Sequence, residues 1–138
     1  MKRQWRVVGL VVPALLAGCA GPADRAHCLP PAEAAPVVEL FFGRGLPDGG
    51  EVSDAAWRGF VDEVVTPRFP NGLTVLDAIG HYRAGDTTGR ERSKLLIIVV
   101  LDAQDLDARV GAVIADYKAR FQQQTVLRVD GSTCVALR

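Results

Sequence analysis

Leu95-Leu96-Ile97-Ile98-Val99-Val100-Leu101 is apolar at odd and even positions alike. Successive side chains of a strand point to opposite faces of a sheet, so a strand patterned this way is expected where both faces are covered. With Ser93 and Lys94 before it, the run reads as a strand from Ser93 to Leu101, and the elements on either side decide what kind of sheet holds it.

Upstream, Ala84 to Arg92 contains Gly85-Asp86 and Gly89 and reads as a hairpin loop. It joins the apolar strand to a partner from Leu73 to Arg83. Earlier still, Ser53 offers a hydroxyl to cap a helix whose apolar positions Trp57, Phe60, Val61 and Val64 recur at i, i+3, i+4 and i+7, and Pro67 ends it. Val37-Val-Glu-Leu-Phe-Phe-Gly-Arg44 is a first strand closed by glycine, followed by a turn-rich loop from Gly43 to Gly50. Downstream, Asp102 and Asp105 are expected at the N-cap and N3 positions of a second helix. Its apolar face carries Leu106, Val110, Val113, Tyr117 and Phe121. A last strand runs from Thr125 to Asp130 and resumes from Thr133 to Leu137.

The order is strand, helix, strand, strand, helix, strand. That is the split β-α-β arrangement of ferredoxin-like α+β folds: a four-stranded antiparallel sheet, spatial order 4-1-3-2, with two helices on one face. The other face carries no helix, yet the third strand is apolar on both sides. Either a second copy of the same sheet covers it in a symmetric dimer, or large side chains of neighbouring strands shield it.

The amino-terminal part has a different character. Lys2, Arg3 and Arg6 precede an apolar stretch from Val7 to Leu16, the layout of an export signal. Leu16-Ala17-Gly18-Cys19 then resembles the lipobox of bacterial lipoproteins, which implies cleavage after residue 18 and acylation of Cys19. Two or three acyl chains there would make a stable anchor, since one chain alone binds only marginally. The alternative is a plain signal peptide cut after an Ala-Gly pair. Ala20 rather than Asp follows Cys19, which in enteric-type bacteria implies the outer membrane, facing the periplasm. Residues 1–18 are thus expected to be a signal peptide, 19–36 a lipidated Ala/Pro-rich tether, and 37–138 the folded domain. Removing residues 1–18 takes three basic residues from a chain with 16 basic and 16 acidic ones, leaving a mildly acidic domain. Such a surface lacks the clustered Lys and Arg that nucleic-acid binding needs.

Two cysteines remain, Cys28 and Cys134, in a compartment that is oxidising after export. They form no CxxC pair and no zinc-ligand spacing. Strand order 4-1-3-2 sets the last strand antiparallel beside the first, which brings Cys134 next to the segment holding Cys28. A bridge there would close a loop of about 105 residues, worth roughly 4 to 5 kcal/mol on a chain-entropy model. The alternative is a pair of unconnected thiols.

Four separated segments carry a family resemblance: Glu39-Leu-Phe-Phe-Gly43, Val65-Thr-Pro-Arg-Phe-Pro-Asn-Gly-Leu-Thr74, Arg90-Glu-Arg-Ser-Lys94, and Tyr117-Lys-Ala-Arg-Phe121 with Val126-Leu-Arg-Val129. Together they resemble domain-of-unknown-function family 3574, small bacterial proteins that are often expected to be lipoproteins. The resemblance implies a family and assigns no catalytic residue.

Candidate chemistry is sparse. Gly43-Arg-Gly-Leu-Pro-Asp-Gly-Gly50 lies where phosphate-binding loops lie, but Asp48 stands where the third glycine belongs, and a Pro47-Asp48-Gly49 turn explains it. Alternation would put Glu39 and Phe41 on the open face with Val75, Asp77, Ile79, His81 and Arg83; Leu76, Ala78 and Tyr82 make an equally plausible inward set, so the second strand's register stays open. In the first register His81 supplies an acid or base and Arg83 holds an anion, beside Glu39 and Asp77. Arg90, Arg92 and Lys94, with Arg83, form a basic hairpin end suited to a small anionic ligand or lipid headgroup, or simply to solvent. No Ser/His/Asp set, metal site or cofactor motif is present, Ser53 being better used as a cap. The sequence therefore favours a non-catalytic envelope lipoprotein that binds a small ligand or an envelope protein. An enzyme using His81, Arg83 and Glu39 and a purely structural lipoprotein are the competing classes.

Overall fold

The computed structural model describes residues 27–137, so the expected export signal and the expected lipidation residue Cys19 lie outside the described residues. The chain runs through β1 (Glu33–Gly43), α1 (Asp54–Phe60), a π-helical turn (Val61–Val65), β2 (Thr74–Ala84), β3 (Thr87–Val99), α2 (Leu106–Phe121) and β4 (Leu127–Val135). The strands form one antiparallel sheet in the order β2-β3-β1-β4. This is the expected ferredoxin-like fold with the expected strand order. No helix of the described residues is long and apolar enough to cross a membrane.

The core follows from alternation on the two inner strands. Val38, Leu40 and Phe42 of β1 and Leu96 and Ile98 of β3 point toward the helices and are 0–1% exposed. Trp57 and Phe60 of α1 and Val110, Val113 and Tyr117 of α2 meet them. The Phe42 ring centroid lies 4.6 Å from that of Tyr117 and 5.2 Å from that of Trp57, in tilted or edge-on contacts that suit the ring quadrupole. The Tyr117 hydroxyl, carried deep into this cluster, donates to the Gly43 carbonyl at 2.8 Å. Burial pushes its phenol well above the ordinary value of 10.

Several boundaries differ from expectation, each for a local reason. Ser53 caps α1 as expected, its Oγ accepting from Ala56 N at 3.1 Å. The helix then widens into a π turn, with Thr66 N donating to Val61 O at 2.8 Å. The wider turn brings Val65, fully buried, onto the core side with Phe60, whereas Val61 and Val64 are only half-buried. Neither Asp102 nor Asp105 caps α2. The Asp102 carboxylate accepts from Gln104 N at 2.9 Å in a local turn, and Asp105 occupies the N-cap position at φ 51° without a side-chain bond.

β3 begins at Thr87, not Ser93, because Gly85 (φ 60°) allows a two-residue turn and Ala84 pairs directly with Thr87. β4 is continuous through Gly131 and Ser132. β1 begins four residues before Val37, so the end of the segment assigned to the tether is strand. Glu33 to Pro36 pair with Val135 to Ser132, and Pro36, which lacks an N–H, accepts through its carbonyl from Val100 N at 2.8 Å. The Cys28–Cys134 disulfide, joining residues 106 apart in sequence, closes this end of the sheet.

Replacing Cys28 and Cys134 by serine should lower unfolding free energy by roughly 4 to 5 kcal/mol on the chain-entropy model, measured by urea denaturation with and without reductant; reductant should not affect the variant. Tyr117→Phe should cost about 1 kcal/mol near neutral pH, because the half-buried Gly43 carbonyl loses its donor. A phenol whose folded value is raised contributes stability that is fully present below its unfolded value and is lost as pH climbs through the folded one. The gap between wild type and Tyr117→Phe should therefore narrow between pH 7 and pH 11, and a constant gap would contradict this account.

Candidate functional site

Strand register decides which candidate residues meet. Glu39 pairs with Ile97, and Ile97 with Thr74, which sets Glu39 and Ile97 on the open face together with Leu76 and Tyr82. Asp77, Ile79, His81 and Arg83 pair with Lys94, Arg92, Arg90 and Thr88 and so lie on the helix side. The structure thus sets Asp77, Ile79, His81 and Arg83 on the face opposite the expected one, and Leu76, Ala78 and Tyr82, expected as an inward set, on the open face. His81 also lies seven residues beyond the level of Glu39 along β2, roughly 23 Å at strand rise. The set Glu39, Asp77, His81 and Arg83 is therefore not brought together. Arg83 instead donates to Gly85 O at 3.0 Å within its own turn.

The basic hairpin residues are largely committed to ion pairs at the start of α1. Lys94, 7% exposed, contacts Asp77 at 2.6 Å and Asp54 at 3.1 Å, and Arg92 reaches Glu51 at 3.5 Å. Arg44, 2% exposed, donates to the Val52 carbonyl and meets Glu51 at 3.1 Å and Asp54 at 3.0 Å. The Lys94 hydrogen bond, helped by the Arg44 charge, holds the Asp54 carboxyl below its ordinary value. Buried cations need such partners, since an unpaired charge there would cost several kcal/mol. Lys94 and Arg92 thus anchor the loop between β1 and α1 to the sheet, and only Arg90 of the basic run has no such acidic contact among the described ion pairs. Sequence reasoning missed Arg44, Glu51 and Asp54. The visible signal was an arginine directly after a buried strand with two acids in the following loop.

At the end of the sheet opposite the disulfide lies an open cleft of about 750 Å³, bounded by the hairpin, the loop after β1 and the connection from α2 to β4. Its apolar lining includes Phe41, Tyr82 and Leu127, and its polar lining Glu91, Ser93 and Gln123. Glu91 Oε1 accepts from Gly45 N at 2.9 Å, and Gln123 Nε2 donates to Gly45 O at 2.6 Å, so two side chains fix the peptides on either side of Gly45 at the rim. A Cβ on Gly43 would stand 2.6 Å from Glu91 Oε1, so any larger residue would displace the Glu91 carboxylate from the Gly45 N–H. The Tyr82 ring likewise covers Gly89 across the strand pair, where a Cβ would fall 2.3 Å from the ring. His81 is the one member of the expected set that borders this cleft. No group of three or more His, Cys, Asp or Glu able to hold a metal occurs among the described residues. The cleft offers stacking surface and hydrogen-bonding groups, as a small-molecule site does.

A comparison with curated proteins returns no match. Among solved structures, a phage SAM lyase in its apo state is similar with a TM-score of 0.55 and 16% identity, covering 75% of this chain and 90% of that one. A nitrogen regulatory PII-like protein from Thiomonas intermedia K12 gives a TM-score of 0.45 at 11% identity, covering 78% and 98%. CutA from Synechococcus elongatus PCC7942 gives 0.46 at 10%, covering 73% and 85%. At such identities the likeness to the phage enzyme is one of fold. A family model described as "Protein of unknown function (DUF3574)" matches residues 37–137, nearly the whole of the sheet and both helices, and the chain belongs to that family.

Proposed function

We propose that this is a lipid-anchored extracytoplasmic binding module without catalysis of its own, which pairs with a second copy through its open sheet face and holds a small ligand in the cleft beneath. The observation that carries the reading is the open face itself. Phe41 of β1, Leu76 of β2, Leu95, Ile97 and Val99 of β3, and Leu127 and Val129 of β4 share it by register. Leu76, Leu127 and Val129 are 46%, 60% and 42% exposed. An apolar patch crossing four strands is larger than a lone monomer ordinarily shows to water.

A second copy is the occupant this face suits. Four strands at about 4.8 Å and nine residues at about 3.3 Å give a footprint of roughly 20 by 30 Å. Side-chain relief brings that near the ~800 Å² of accessible surface per partner in a standard interface. An apolar face is complementary to itself, as a two-fold interface requires. Phe41, Ser93 and Leu127 belong to both the open face and the cleft, so a partner sheet would roof the cleft and take its ligand out of water. The dispersal of Glu39, His81 and Arg83 removes the convergent set that turnover would have used. Lipid anchoring is supported by the Leu16-Ala17-Gly18-Cys19 motif and by a disulfide suited to an oxidising compartment.

Native mass spectrometry of residues 20–138, exported without the lipid, should give a dimer two hydrogens per chain lighter than the reduced form, with any retained small molecule visible as added mass. Leu95→Asp should leave a folded monomer. Glu39→Gln should tighten the dimer, since it removes the one charge on the middle of this face. A wild-type monomer at all concentrations would rule the sheet-face dimer out.

A further inference from the structure

We infer that the disulfide end of the domain is a membrane-contacting tip, with Leu29, Leu101 and Leu137 entering the acyl region of the bilayer that holds Cys19. The inference rests on the lipid-anchor reading above and adds which surface meets the lipid. Leu29 and Leu137 are 79% and 81% exposed, the highest values among the large apolar side chains of the described residues, and Leu101 is 46% exposed. All three belong to one end of the sheet. Leu29 follows Cys28, whose bridge to Cys134 places it beside the end of β4, and Leu137 closes that same segment. Leu101 follows Val100, which bonds to Pro36 in β1. Two clefts of about 410 and 270 Å³, the smaller one mainly apolar, share Leu101, Val135 and Leu137 as lining.

The occupant follows from where the anchor is attached. Cys19 precedes Cys28 by nine residues, a reach of at most about 30 Å when extended. The bridge fixes the far end of that span to the leucine-bearing edge, so the anchor holds this edge nearest the lipid. Burying leucine surface that water otherwise covers is favourable, and it orients a domain already tethered. Glu33 and Asp102 lie near Leu29 and Leu101 and Arg138 follows Leu137, so this end carries no excess of positive charge and contact is driven by apolar burial.

The test uses the lipidated chain in phosphatidylcholine vesicles whose acyl chains carry bromine, a quencher of tryptophan fluorescence. Trp57 is 3% exposed in the core, so the wild type supplies a background that bromine should barely change. Leu29→Trp and Leu137→Trp should each lose at least half of their added fluorescence in brominated vesicles, whereas Leu127→Trp on the open sheet face should keep its own. Replacing a third of the lipid by phosphatidylglycerol should leave the quenching unchanged. Quenching of Leu127→Trp alone would put the sheet face on the bilayer and overturn the inference. Protein that floats with the vesicles but shows no quenching at either tip position would overturn the inference and leave the anchor standing. Protein that fails to float would overturn the anchor itself.

Discussion

Val38, Leu40 and Phe42 leave the central strand β1 on the same side, and each is fully buried between the sheet and the two helices. Because side chains alternate, this choice commits Val37, Glu39 and Phe41 to the opposite face, and pairing carries the same commitment into β3 and from there to β2. A slip of one residue anywhere would turn the apolar set of one strand toward water. Nearly every other feature hangs on this parity: the packing of Tyr117 and Trp57 against Phe42, the half-buried open-face positions of Leu95, Ile97 and Val99, and the side on which each hairpin residue emerges.

The sequence made the inner part of this arrangement legible because burial there is one-sided and strong. β1, the α2 face and the Ser53 cap are local signals that tertiary packing reinforces, and strand order followed from the sequence of elements together with the two cysteines. β2 was ambiguous for a physical reason. It is an edge strand whose outer half extends beyond the helices, so apolar residues occur on both faces and neither set is compelled inward. What fixes its register is the tight turn at Gly85 and the Tyr82 ring lying over Gly89, and neither leaves a periodic trace. The hairpin looked like a loop because a two-stranded ribbon with little cover has no apolar pattern to show. Likewise the π turn after Phe60 substitutes Val65 for Val64, a change of one position that a helical period does not anticipate.

The charged residues illustrate why a cluster in sequence is a poor guide to a site. Arg92 and Lys94 alternate with Glu91 and Ser93 and therefore leave the strand on the helix side, where Glu51, Asp54 and Asp77 receive them. Their positive charge is spent on joining the loop after β1 to the sheet. Glu91, on the other face, turns to the same loop from the opposite side and binds Gly45 N. The loop is thus clamped from both faces, which shapes the cleft wall without a residue dedicated to chemistry. Arg44, buried at its base, supplies the hub.

The disulfide has a consequence for the fate of the chain as well as for its stability. By joining residues 106 apart, it turns almost the entire domain into a covalent ring whose neck lies beside the segment leading to Cys19. A protease that cuts once within the ring, at the exposed hairpin turn for example, opens the ring but releases no fragment, since both pieces remain bonded through Cys28 and Cys134. Shedding the domain from whatever holds its amino-terminal segment requires a cut before Cys28, and freeing a piece of it requires a cut within the ring followed by reduction of the bridge. A nicked molecule therefore stays one covalent piece, carrying its damage with it.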